Sequence, residues 1–165
     1  MPLPDIFRYA VATALSLVLV WAAASDIKDR RIPNRAVLAV LGLFAAWVLA
    51  GRGADLASDL AAGTLAFVVG YALYAFKIMG AGDAKLFGAT ALFVGLGHLG
   101  AFALATVLTG GAMAIVSIAS RPRRAMVMVA MKGKGDFGRG IPYGVAIAVG
   151  GILVVWGLLT GRLPA

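Results

Sequence analysis

The apolar run LFGATALFVGLGHLGAFALATVLTGGAMAIVSIAS, residues Leu86–Ser120, decides how many helices this chain forms. As one helix rising about 1.5 Å per residue it would extend roughly 50 Å, whereas the hydrocarbon core of a membrane is about 30 Å thick. We therefore expect the run to fold back into two spans. Three glycines weaken a helix within Gly95–Gly100, and His98 is the only titratable residue of the run, so we predict the turn in this cluster.

The rest of the chain also has the composition of a membrane protein. Of its 165 residues, 62% are hydrophobic and only 13% are charged, and the mean hydropathy is +0.96. Four further uncharged runs approach the length of about 20 residues that a spanning helix needs. They are Tyr9–Ser25, Ala36–Gly51, Leu60–Phe76 and Ile141–Gly161. The sequence thus predicts an all-α fold with six transmembrane helices, and we expect one domain over residues 1–165 because no polar linker divides it.

The basic residues predict the orientation of these spans. The formal net charge is +8, but lysine and arginine lie in short loops between apolar runs, so we expect no nucleic-acid partner. With the N-terminus outside, the outer segments hold only Arg8, Arg52 and Arg162, and all other lysines and arginines fall inside. The positive-inside rule therefore predicts that both termini are periplasmic.

A cleaved signal peptide over Met1–Ala24 is an alternative, with Ala22-Ala23-Ala24 as the processing site. Asp5 and a single Arg8 make a poor basic region before the apolar run, and cleavage would leave Asp26 on a loose new terminus. We therefore favour a retained first span.

Two aspartates lie at the ends of predicted spans. An ionisable group at that position is unfavourable in free energy unless it faces water or a partner. Asp26 ends span one, and Asp83 begins span four after Gly80-Ala81-Gly82. The predicted topology places both at the inner membrane face, on helices that could pack together. The chain has no cysteine, which excludes a disulfide framework, a thiolate metal site and a thiol nucleophile.

A pair of close carboxylates suits peptide hydrolysis. Ionising both groups at once is unfavourable because their negative charges repel. One therefore holds a proton and polarises the peptide carbonyl, while the other takes a proton from the attacking water. This chemistry requires no metal or organic cofactor. Gly80 and Gly82 would let a substrate backbone approach closely. Alternatively, Asp26 and Asp83 cap helices or pair with the neighbouring Lys28 and Lys85.

The other acids and the longest loop have simpler interpretations. We interpret Asp29 and Asp136 as charge partners in loops, and Asp55 and Asp59 as solvated. The basic loop Arg121–Arg139 encloses a short apolar stretch that would lie on the membrane surface or extend span five. Gripping the substrate is the alternative role for this loop.

Two separated motifs resemble those of a known family. Asp26-Ile27-Lys28-Asp29-Arg30-Arg31-Ile32-Pro33-Asn34, followed by Gly80-Ala81-Gly82-Asp83, is similar to the type IV prepilin peptidase family of membrane aspartic proteases. Ile141–Ala146 also resembles the closing P-[YF]-G segment of that family. The resemblance covers nearly the whole chain. It implies that Asp26 and Asp83 are the catalytic pair.

The resemblance also implies a substrate and a location. Family members cut a short basic leader from prepilin-like proteins at the cytoplasmic face of the bacterial inner membrane, before the pilin's hydrophobic helix. Larger members carry a cytoplasmic region with paired cysteines and methyltransferase activity, and nothing here matches it. The chain therefore resembles the compact, peptidase-only kind found with Flp/Tad pilus systems, and we expect no methylation.

Other functions remain open at this point. A preflagellin or pseudopilin peptidase would differ only in substrate. A small proton- or cation-coupled transporter would use the same two aspartates differently, but transporters usually place such groups near the bilayer midplane and often contain repeats. A non-catalytic assembly scaffold would need neither carboxylate.

Overall fold

The computed structural model describes residues 3–49, 55–120 and 142–163, and the regular structure in these parts of the chain is helical. The helices are α1 (Leu3–Asp29), α2 (Asn34–Trp47), α3 (Leu56–Ala75), α4 (Ala81–Ala91), α5 (Gly95–Ser120) and α6 (Tyr143–Leu159). The predicted all-α class is confirmed. The predictions for Asp136 and for Arg121–Arg139 fall outside the described residues.

Within the described residues, three helices are long and apolar enough to cross a membrane. The qualifying segments are Ile6–Asp29, Leu56–Ala75 and Gly95–Ser117, and α2 and α6 are shorter apolar helices. Large apolar side chains such as Leu17, Val68 and Val107 are exposed on the outside of the bundle. These are features of a protein whose solvent is lipid, because water would penalise so many exposed apolar side chains.

Proline and glycine determine where helices begin. Pro33 is extended, with φ −69° and ψ 138°, and α2 starts at the next residue, two residues before the predicted run Ala36–Gly51. The run Leu86–Ser120 does divide into two helices, but the turn lies at residues 92–94, before the predicted cluster. Gly95 ends that turn with a φ of +71°, a conformation that glycine adopts without steric cost. Gly97 and Gly100 continue into α5, since one glycine costs a helix only about 1 kcal/mol.

Glycines bring α4 close to α3. A Cβ atom added at Gly88 would lie 2.7 Å from the Cβ of Phe67, and one at Gly70 would lie 3.1 Å from the Cα of Ala84. On its other side α4 packs against α2 and α6, and α6 also packs against α1 and α5. The short α4 is therefore enclosed by longer helices, and its first turn is held at one end of the bundle.

The environment of the Asp59 side chain differs from the predicted one. Asp55 and Asp29 are exposed, as expected for solvated acids, but Asp59 in the first turn of α3 is buried. The end of the α4–α5 turn lies against it: a Cβ atom added at Gly95 would lie 3.2 Å from Asp59 Oδ1, and the next residue, Leu96, donates a backbone hydrogen bond of 3.0 Å to Ser58 Oγ. The interpretation of Asp59 as a solvated loop acid is therefore wrong.

Candidate active site

Asp26 lies in the last turn of α1, and its side chain is only 6% exposed. Its Oδ2 accepts a hydrogen bond of 2.8 Å from the backbone N–H of Gly144, in the first turn of α6. Arg30 follows one turn later and places a positive charge near this carboxylate. Asp26 is thus held by a group that lies 118 residues away in the chain.

Asp83 is the third residue of α4 rather than the residue that caps it. Gly80 precedes the helix in extended conformation, and its N–H donates to Asp83 Oδ2 at 3.2 Å. The other oxygen, Oδ1, is buried and has no hydrogen-bond partner within the part of the chain that the structure describes. Capping therefore accounts for Oδ2 of Asp83 but not for Oδ1. A buried polar atom without a hydrogen bond is unfavourable in free energy, so Oδ1 needs another explanation.

The two aspartates line one pocket with a volume of about 260 Å³. The charge of Asp26 acts on Asp83 across it. The alternative charge partners, Lys28 and Lys85, are both exposed. Besides Asp26 and Asp83, the pocket is lined by Arg30, Arg31, Ile32, Gly80, Ala81 and Gly82. The structure therefore brings together all four residues that the sequence singled out, Asp26, Asp83, Gly80 and Gly82.

Glycine is required at this pocket for close packing. A Cβ atom at Gly82 would lie 3.1 Å from the Cβ of Ile32, and one at Gly80 would lie 2.7 Å from Asp83 Oδ2. At Gly144 the added atom would lie 2.9 Å from Asp26 Oδ2 and 3.1 Å from Ile32 Cδ1. Any larger residue would displace a carboxylate or the α1–α2 loop.

Gly144 is the site residue that sequence reasoning missed. The segment Pro142-Tyr143-Gly144 resembles a family motif, but its residue types predict no particular role. Its contribution is a backbone N–H at the start of a helix, where such groups lack partners within the helix.

The donor set at the pocket suits acid–base chemistry. Two carboxylates in a common pocket can exchange a proton with a bound water and with a peptide group. Among the described residues, no group of three or more histidine, cysteine or acidic side chains is placed to hold a metal ion.

Comparison with known proteins identifies the family. The model of the type IV leader peptidase family matches residues 13–115, which include both Asp26 and Asp83. Searches of curated proteins and of solved structures found no match. The family match covers more than half of the chain, and the chain therefore belongs to the type IV leader peptidase family.

Proposed function

We propose that this protein is a membrane aspartic endopeptidase that removes the short leader from type IV prepilins of the Flp/Tad kind. Membership of the leader peptidase family supports the class of enzyme. The observation that carries the aspartic mechanism is the shared pocket of Asp26 and Asp83. In this proposal the two carboxylates are the catalytic pair, and the reaction uses no cofactor.

The hydrogen bonds favour different catalytic roles for the two acids, one as a base and the other as a proton donor. Burial opposes the charged form of Asp26, but the short backbone hydrogen bond and the nearby Arg30 partly offset that cost. The buried, unpartnered Oδ1 of Asp83 is suited to carry a proton, because a hydroxyl at that position can donate to a substrate carbonyl. Asp26 is then the base and Asp83 the acid.

The reaction follows the general scheme of two carboxylates and a water. Asp26 takes a proton from water as the water oxygen attacks the scissile carbonyl carbon, and Asp83 donates its proton to the carbonyl oxygen. The tetrahedral intermediate then breaks its C–N bond, and a proton from the Asp26 carboxyl group passes to the leaving amine. The hydroxyl proton returns to Asp83 as the carbonyl re-forms, so the pair ends in its starting state.

Substrate and location follow from the family and from the charge pattern. Gly80 and Gly82 form a side-chain-free wall of the pocket, against which an extended peptide backbone can lie. The distribution of lysine and arginine supports six spans, periplasmic termini and a site at the cytoplasmic face of the inner membrane. There the basic leader would lie in the cytoplasm while the hydrophobic helix of the prepilin remains among the lipids.

The proposal is tested with purified protein and a panel of prepilin, preflagellin and pseudopilin substrates. Asp26→Asn and Asp83→Asn should each lower cleavage by about 10²-fold or more, since each removes a group that transfers a proton. Asp29→Asn is the matched control, because Asp29 is exposed and lies one turn from Asp26. Full leader removal by either variant of the pair would refute the dyad, and preferential cleavage of another substrate class would refute the Flp/Tad assignment.

The same preparation distinguishes the other classes of function. Wild-type protein that cleaves nothing but supports proton-coupled uptake in proteoliposomes would indicate a transporter. Pilus assembly supported equally by Asp26→Asn, Asp83→Asn and the wild type would indicate a scaffold. The peptidase proposal predicts neither result.

A further inference from the structure

Ile32 occupies the junction between the two halves of the proposed dyad. It lies in the α1–α2 loop, is half-buried and lines the pocket. Its Cβ lies beside Gly82, the residue directly before Asp83, and its Cδ1 lies beside Gly144, which donates the hydrogen bond to Asp26. One side chain therefore contacts the first turn of α4 and the first turn of α6.

The helices that carry the acids need such a bridge. Helix α1 packs against α2 and α6, whereas α4 packs against α2, α3 and α6. Within the described residues α1 and α4 share no extensive interface, so direct packing between them does not set the distance between Asp26 and Asp83. That distance depends on elements that contact both.

The backbone around Ile32 is itself constrained. Pro33 restricts the conformation of the residue before it, and Ser25 Oγ donates a hydrogen bond of 3.1 Å to the carbonyl of Arg31. The loop is therefore tied to α1 on one side of Ile32 and fixed by proline on the other. A side chain anchored in this way can keep the two helices that it contacts at a fixed distance from each other.

We infer that Ile32 is a positioning residue that sets the separation of the two carboxylates by filling the space between the first turns of α4 and α6. The inference rests on the proposed function, in which Asp26 and Asp83 act together. Ile32 transfers no proton, and its effect on the reaction passes through the placement of the acids.

The length of the side chain at position 32 should decide activity. Leucine keeps the volume and can still reach Gly144, valine loses Cδ1, and alanine loses every atom beyond Cβ. We expect kcat to remain near the wild-type value in Ile32→Leu, to fall in Ile32→Val, and to fall by about 10- to 100-fold in Ile32→Ala, because a misplacement of about 1 Å can cost this much. KM should change less than kcat, since Gly80 and Gly82, the wall proposed to hold the peptide backbone, are retained.

The pH profile distinguishes positioning from a simple loss of stability. The two limbs of a bell-shaped profile are spread by repulsion between the carboxylates. As a scale for this effect, two charges that move from about 4 to about 5 Å apart at an effective dielectric constant of about 20 change the spread by roughly 0.6 pH unit. The groups facing the pair are Arg30 and Arg31 from the loop, and they are unchanged in the Ile32 variants.

Ile152→Ala is the control, because Ile152 is also half-buried but lies two turns beyond Gly144 on α6. It should lower stability and leave kcat and the width of the pH profile unchanged. If Ile32→Ala matches Ile152→Ala in kcat and in profile width, the inference is wrong.

A second measurement does not depend on activity. The chain has no cysteine, so Asp26→Cys with Asp83→Cys creates a unique thiol pair. Disulfide formation requires strict geometry, so adding Ile32→Ala should change its rate by about threefold or more, whereas adding Ile152→Ala should not. An unchanged rate overturns the inference even if the peptidase proposal holds. If instead the Asp→Asn variants remain active while the rate changes, the proposed function fails and the spacing role stands.

Discussion

Replacing Gly144 by alanine is predicted to disable the enzyme although alanine is the better helix former. The new methyl group would lie 2.9 Å from Asp26 Oδ2, 3.0 Å from Asp26 Cβ and 3.1 Å from Ile32 Cδ1. The carboxylate oxygen would have to withdraw by about 0.5 Å to reach an ordinary contact distance near 3.4 Å. Asp26 is 6% exposed and has little room to do so.

The magnitude follows from the hydrogen bond and from the displacement. Weakening the 2.8 Å bond from the Gly144 N–H to a charged carboxylate costs about 1.5–3 kcal/mol. A shift of about half an ångström in Asp26, the proposed base, together with this loss, should lower kcat by roughly 10- to 100-fold. Helix propensity acts in the opposite direction, by about 1 kcal/mol in favour of alanine.

Leader cleavage by purified Gly144→Ala, followed over a range of substrate concentrations, measures this effect. The control is Gly111→Ala on α5, because an added Cβ there meets nothing within 4 Å. We expect Gly111→Ala to be fully active and as stable as the wild type or more so. Wild-type kcat in Gly144→Ala would show that the contact between Gly144 and Asp26 does not place the base.

Two further predictions concern stability. Ser58→Ala removes the acceptor of the Leu96 N–H and should lower the free energy of unfolding by about 1 kcal/mol, with kcat unchanged. Thermal melting in detergent measures the stability and leader cleavage measures kcat. An unaltered melting temperature would contradict the prediction. Gly88→Ala places a methyl group 2.7 Å from the Cβ of Phe67 and should cost about 1–3 kcal/mol by separating α3 from α4. A variant as stable as the wild type would mean that α3 and α4 can separate without penalty.

The convergence of Asp26 and Asp83 could be predicted from the sequence because topology alone restricts it. Apolar runs and the positions of lysine and arginine predict which span ends lie on one side, and both acids fall at ends predicted to share a side. The start of α2 directly after Pro33 also has a local cause, since proline restricts the backbone of its immediate neighbour. These signals are local or depend only on counting spans.

The contacts that complete the pocket could not be predicted in this way. The bond from Gly144 to Asp26 joins residues 118 positions apart and uses a backbone group that every residue except proline possesses. The burial of Asp59 depends on how the α4–α5 turn packs over α3, and the residue types in these segments do not predict that packing. The position of this turn was missed because Gly95, Gly97 and Gly100 look alike in sequence, and only Gly95 adopts the left-handed conformation.

The hydrogen bonds to Asp26 and Asp83 described here both come from main-chain amides, of Gly144 and Gly80. A peptide N–H does not titrate in the range where proteins are stable, unlike a histidine or lysine donor. These donors therefore keep their protons while the carboxylates titrate, so a change of pH acts on the acceptors alone. An arrangement of this kind can keep its donors in place when the pH around the pocket changes.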